Sequence, residues 1–201
     1  MARLTPLQLD ALGESGNIAM GAAATALSQL LGQQVQITTP HLTYRTMKEI
    51  RDAHPVPCVL IRVHYKRGLQ GSNIFILSEQ DAGIIANLMM GNPEQPAPET
   101  LDELYLSAVS EAMNQMMGSS ATAMSEMFGR IIDITPPELE YITNLQEADS
   151  EQVEIADEQE VIQIAFKLTV GNHINSTMLQ IVPEEFAVTL VEEMLGPLSG
   201  V

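Results

Sequence analysis

Apolar residues recur at helical spacing in two long stretches of the chain. Over 6–31, Leu9, Leu12, Met20, Ala23, Leu27 and Leu30 fall on one side of a helical wheel. Over 102–128, Leu106, Val109, Met113, Met116, Met117, Met124 and Met127 do the same. Each stretch predicts a long amphipathic helix, with Gly32 and Gly129 placed to cap the C-terminal ends. Gly21 and Gly118 fall inside these stretches and leave open whether each helix bends, splits or runs through. Behind each helix the pattern turns to β. Segments 35–38 and 131–135 read as strands, each stopped by a proline, Pro40 in one case and Pro137 in the other. Runs at 57–65 and 72–78, and again at 160–170 and 176–182, are β-rich and separated by Gly-containing turns, which predicts two hairpins. Apolar stretches at 82–91 and 186–196 then read as a shorter helix closing each half at a glycine.

That order occurs twice because the chain is a duplication. Residues 14–40 lie over residues 111–137 at a constant offset of 97 without a gap, and 12 of 27 positions are identical. Chance would give roughly two in a window of that size. HLTYRT at 41–46 faces ELEYIT at 138–143, and 59–77 is similar to 161–179 at an offset near 102 to 104. The expected organisation is one domain of two repeats, 1–91 and 101–201, joined by a Pro-rich linker at 92–100. Helices segregated from antiparallel strands, twice over, predict an α+β fold with pseudo-two-fold symmetry, an antiparallel sheet carrying two long helices.

Composition narrows the function. The 201 residues hold 26 Asp+Glu against 9 Lys+Arg, a formal net charge of −17, which repels phosphate backbones and argues against nucleic acid as a partner. No run of 18 apolar residues occurs, and no basic segment followed by an apolar one opens the chain, so neither membrane insertion nor secretion is expected and the cytoplasm is the default compartment. Cys58 is alone, which excludes an intrachain disulfide and a cysteine-based zinc site, and it reads as a small buried hydrophobe. His41, His54, His64 and His173 show no metal-ligand spacing, so no metal site is expected. The methionines of the second long helix read as core, with an adaptable partner surface as the alternative. The stretch 144–160 carries Glu147, Asp149, Glu151, Glu154, Asp157, Glu158 and Glu160, most simply a solvated loop without a catalytic part. No Gly-rich phosphate loop, nucleophile elbow or Cys–His pair is present.

The candidate chemistry lies on the polar faces of the long helices. Asp10, Glu14, Asn17 and Gly21 sit at i, i+4, i+7 and i+11, a narrow strip of helix surface. Ser107, Glu111, Asn114 and Gly118 repeat that strip 97 residues later. One such strip is an ordinary solvated face. Two copies that keep Glu-x-x-Asn while most neighbours have drifted point to a shared task.

These residues resemble a known family. The pattern Asp/Ser-x3-Glu-x2-Asn-x22-Pro is the signature of the CheC-type phosphatases of bacterial chemotaxis, and it occurs here as Asp10, Glu14, Asn17, Pro40 and as Ser107, Glu111, Asn114, Pro137. The wording LDALGESGNIAMGAAATALSQLL with SAVSEAMNQMMGSSATAMS is most similar to the core of the flagellar-switch branch, FliY, and a stand-alone CheC is the alternative. The docking peptide and FliN-like domain that such switch proteins add are not recognisable in this stretch. The resemblance implies hydrolysis of the aspartyl phosphate of CheY. Asn17 and Asn114 would each hold a water in line with the scissile P–O bond, and Glu14 and Glu111 would each pair with the active-site lysine of CheY. Asp10 and Ser107 would be secondary substrate contacts, and Pro40 and Pro137 structural. No cofactor of its own is implied, since CheY carries the Mg²⁺. Partners would be phosphorylated CheY and either flagellar switch proteins or, for a CheC, a receptor deamidase of the CheD type. The site of action would be the cytoplasmic face of the flagellar basal body. The competing expectation is a non-catalytic switch scaffold that only binds phosphorylated CheY.

Overall fold

The computed structural model describes residues 3–54, 56–148 and 153–196. The two long helices, α1 (Pro6–Leu31) and α4 (Glu103–Phe128), start and stop at equivalent places. Thr5 and Asp102, 97 residues apart, accept the backbone N–H of Gln8 and Tyr105 and so satisfy donors left free by the first turn. Gly32 and Gly129 end the helices with φ of +64° in both, the left-handed cap that glycine adopts without strain. Gly21 and Gly118 do not split either helix. Ser28 and Ser125 then tie each helix to the segment after it. Each Oγ accepts a backbone N–H, from Val35 in one case and Ile132 in the other, both at 2.9 Å.

The strands are β1 (Val35–Thr46), β2 (Cys58–Arg67), β3 (Gly71–Ser78), β4 (Asp133–Ile134), β5 (Glu138–Ile142), β6 (Glu160–Val170) and β7 (Ile174–Pro183). They form one antiparallel sheet in the order β1-β6-β7-β3-β2-β4, with β5 also paired to β2. The order reads the same from either edge once the repeats are matched. Each repeat keeps its own hairpin but lends its first strand to the other: β1 pairs with β6 of the second repeat, and β4 and β5 pair with β2 of the first. The hairpins meet at β3 and β7, where Phe75 faces Gln180. Short helices α2 (Met47–Ala53), α3 (Glu79–Met89) and α5 (Glu184–Leu195) follow β1, β3 and β7.

Three sequence expectations about the repeated helices and strands are corrected. Pro40 does not stop a strand: β1 runs through it to Thr46 on the sheet edge, and the ladder with β6 shifts register between Thr38 and His41. A proline is tolerated there because a bulge on an edge strand requires no N–H from it. The second repeat does break, with Pro137 between β4 and β5, and β4 is shorter than the predicted 131–135: Ile131 is exposed, and the ladder with β2 shifts register between Tyr65 and Arg67. Leu30 is 37% exposed, not part of the buried stripe.

The acidic stretch is more than a solvated loop. Its Leu145, Ala148, Val153 and Ile155 join Met47 and Ile50 of α2 in a second apolar cluster with Leu60, Ile76, Val161 and Ile181 of the sheet. Buried Arg51 fastens it, pairing with Asp157 and donating to the carbonyls of Leu145 and Gln146 at 3.1 Å each. Glu147, Glu154 and Glu158 are exposed, and Asp149 and Glu151 lie outside the described residues. The main core holds α1, α3 and α4 with the sheet, and Met113, Met116, Met117 and Met124 are buried in it, which decides their reading as core.

Candidate functional site

Burial of one helix face dictates what the other presents. Leu12, Ala19, Met20, Ala23 and Leu27 of α1, and Val109, Ala112, Met113, Met116 and Met124 of α4, are buried. A period of 3.6 residues then turns Asp10, Glu14, Asn17 and Gly21 outward on α1, and Ser107, Glu111, Asn114 and Gly118 outward on α4; all eight are exposed. Each strip places a carboxylate one turn before a carboxamide on a rigid 26-residue helix, so the spacing between them is fixed by backbone geometry.

The helix of the first repeat lies tightly against the sheet where its strip begins. A Cβ on Gly13 would sit 3.3 Å from Leu42 Cδ1 and 4.0 Å from Pro40 Cγ, and one on Gly16 would sit 3.3 Å from Phe166 Cζ. Glycine at both positions permits that approach. Pro40 thus backs α1 from the sheet side and does not join the exposed strip. Pro137 is half-buried between two strands of the second repeat.

Among the described residues, the side chains of Glu14, Asn17 and Asn114 have no hydrogen-bond or ion-pair partner. Glu111 differs, because Gln115 Nε2 donates to its Oε1 at 3.0 Å. The equivalent of Gln115 in the first repeat is Ile18, 41% exposed, which has nothing to donate. The surroundings differ too. Asn114, Gly118 and Thr122 line an open groove together with Ala22, Thr25 and Ala26 of α1, whereas Asn17 is not part of it.

Two free carboxamides on rigid helices, each beside a carboxylate, can orient a water and accept a cation from a docked partner; neither brings a nucleophile or a metal set. Sequence reasoning missed three features of these faces. Gln115 is one, and Leu7 and Leu104, at the start of the strips and 68% and 62% exposed, are the others. The offset of 97 between the two leucines was the signal that marks them.

Comparison with known proteins agrees with this arrangement. The model of the CheC-like family matches residues 7–44 and 104–141, the two motif helices with the segments that follow them. The chain is 44% identical over 197 residues to the flagellar motor switch phosphatase FliY of Bacillus subtilis (strain 168), aligning 98% of this chain with 52% of that protein. It is 31% identical over 121 residues to the CheY-P phosphatase CheX of Thermotoga maritima, covering 60% of this chain and 71% of that protein. The crystal structure of Thermotoga maritima FliY superposes with a TM-score of 0.87 at 38% identity, over 95% of this chain and 97% of that one. The chain spans about half the length of its FliY relative from Bacillus subtilis. With both repeats matched and the relationship to CheX extending over most of that protein, the chain belongs to the CheC-like family.

Proposed function

We propose that this chain is the catalytic core of a phosphatase that hydrolyses the aspartyl phosphate of CheY at the flagellar switch. The observation that carries the reading is the pair of exposed Glu-x-x-Asn strips whose carboxamides are free of protein partners. An acyl phosphate on a receiver domain already has its metal and its leaving group. What it lacks is a water held in line. The carboxamide of Asn17 or Asn114 supplies a donor and an acceptor for that water and carries no negative charge to repel the phosphoryl oxygens. Glu14 or Glu111, one turn away, accepts the ammonium of the lysine beside the phosphoryl group and so fixes the docked orientation. Asp10 and Ser107 make secondary contacts. Mg²⁺ belongs to the substrate, CheY. The relatives support the reading, being a flagellar motor switch phosphatase in one case and a CheY-P phosphatase in the other. No described helix is long and apolar enough to cross a membrane.

Phosphate release from phosphorylated CheY, with and without the chain, tests this. The wild type accelerates release, and the Asn17→Ala/Asn114→Ala double variant falls to the regulator's own rate while keeping its circular dichroism. A folded double variant that matches the wild type transfers the strips to the alternative, a switch scaffold that binds phosphorylated CheY without hydrolysing it.

A further inference from the structure

We propose that each strip is the middle of a longer docking ridge for the phosphorylated receiver domain, with Leu7 and Leu104 as its apolar end and Gly21 and Gly118 as its close-approach end. The inference rests on the function proposed above and extends it to four residues outside the Glu-x-x-Asn motif.

Leu7 and Leu104 are the two most exposed large hydrophobic residues described, at 68% and 62%. One exposed leucine requires no explanation. Two at the same place in both repeats, each one turn before Asp10 or Ser107 on the strip, do. Neither fills the core, so what both copies share is a face turned to something outside the chain.

The glycines tell the same story from the other end. Gly21 and Gly118 lie inside continuous helices, are exposed, and have helical backbone angles; a Cβ built on either meets nothing within 4 Å. Gly13, Gly16 and Gly83 have close neighbours at 3.3, 3.3 and 2.8 Å that account for them. At 21 and 118 alanine is accommodated by the fold and favoured by helix propensity. The intramolecular structure gives no reason for glycine there, whereas a partner backbone pressed against that turn does. The threonine four residues on bonds back to the glycine carbonyl at 3.1 Å in both repeats, so this turn is built alike twice.

From Leu7 to Gly21 is 14 residues, about 21 Å along a helix, with Asp10, Glu14 and Asn17 between them on one face. A receiver domain that places its phosphoryl group at Asn17 therefore meets the leucine on one flank and the bare turn on the other, and the same holds around Asn114. Continuity with the Glu-x-x-Asn strip selects this occupant: a surface with an apolar patch beside a cationic side chain.

Three proteins test the ridge: wild type, Leu7→Ser/Leu104→Ser and Gly21→Ala/Gly118→Ala, all as the full chain. Urea unfolding, steady-state phosphate release from phosphorylated CheY, and calorimetric binding of beryllofluoride-activated CheY are measured on each. The glycine variant unfolds at higher urea than wild type, yet its KM and Kd rise about tenfold; the leucine variant unfolds as wild type does, with KM and Kd up about tenfold and kcat changed much less. Wild-type KM and Kd in both variants overturn the ridge and leave the phosphatase intact. Ridge-dependent binding without accelerated hydrolysis by the wild type supports the ridge and overturns the phosphatase. Absence of binding by the wild type overturns both.

Discussion

Gln115 holds Glu111: its Nε2 donates to Oε1 at 3.0 Å across one helical turn, while Ile18 stands beside a free Glu14 in the first repeat. The two strips share backbone and spacing but not the state of their carboxylates. A Gln–carboxylate pair on a helix surface contributes about 0.2–0.5 kcal/mol and competes with an incoming ammonium for the same oxygen lone pairs.

Removing that competition is expected to improve the second strip. In an Asn17→Ala background, which on the proposed function leaves Asn114 alone to serve, Gln115→Ile lowers the KM for phosphorylated CheY by up to about twofold. The converse, Ile18→Gln in an Asn114→Ala background, raises it by a similar factor. Steady-state phosphate release on the four proteins measures both, and a KM unmoved in either background shows that the Gln115 bond does not gate Glu111.

Ser28 and Ser125 are expected to matter equally for stability. Each hydroxyl accepts the N–H of the residue seven positions on, and alanine there leaves that partly buried donor without its acceptor, at a cost of about 1–2 kcal/mol. The two sites share no bond, so Ser28→Ala and Ser125→Ala add in the double variant. Urea midpoints with an unchanged slope check this, and a double variant no less stable than either single one refutes it.

Much of this was legible because local patterning produced it. Leu12, Met20, Ala23 and Leu27 announce the buried face of α1 by their spacing, and the same spacing turns Glu14 and Asn17 outward. The glycine caps follow from chemistry confined to one turn. What stayed hidden depends on partners far away in sequence. Nothing at Leu42 says that it faces Ile164 of the other repeat, because alternation gives a strand its faces but not its neighbour. The continuation of β1 through Pro40 depends on that neighbour as well. Helix α2 had a local signal that went unread, the capping box of Thr46 and Glu49, in which each side chain accepts the other residue's backbone N–H. In the acidic stretch, charge obscured Leu145, Val153 and Ile155, whose burial depends on the second face of the sheet. For the strips, the order of residues was readable, whereas the tether of Glu111 by Gln115 is a matter of rotamer.

The exchanged strands predict that neither repeat folds by itself. Residues 1–91 alone lack β6 for β1, β7 for β3, and β4 and β5 for β2, exposing strand edges of all three and the faces of α1 that pack on α4. Expressed separately, 1–91 and 101–201 are expected to show no cooperative unfolding; mixed, they assemble one to one and recover it. Thermal scans with size-exclusion chromatography decide the matter, and a cooperative transition in either half alone contradicts the exchange as the source of stability.

Cys58 supplies a probe of the buried start of β2 and a prediction of the fold's alkaline limit. It lies in β2 between Ser78 of β3 and Ile142 of β5 and is 2% exposed. Burial in that apolar setting disfavours the thiolate and pushes the thiol from 9.0 up to about 11. At pH 8 only about one native thiol in a thousand is ionised, and it is closed to reagents, so alkylation tracks unfolding. Between pH 9.0 and about 11 the unfolded chain releases the proton while the native one keeps it. The unfolded state then binds fewer protons, and stability falls as pH rises across that window, by about 2–3 kcal/mol when complete. Tyr65 adds to the loss only higher up, since burial moves it from 10.0 to about 12. Cys58→Ala removes the thiol contribution. Its urea stability starts lower at pH 8 because of the small cavity, then declines less steeply than wild type between pH 9 and 10, below the range where Tyr65 contributes. Parallel declines in the two proteins would show that the native thiol titrates as it does in water and that β2 is open to solvent at its first residue.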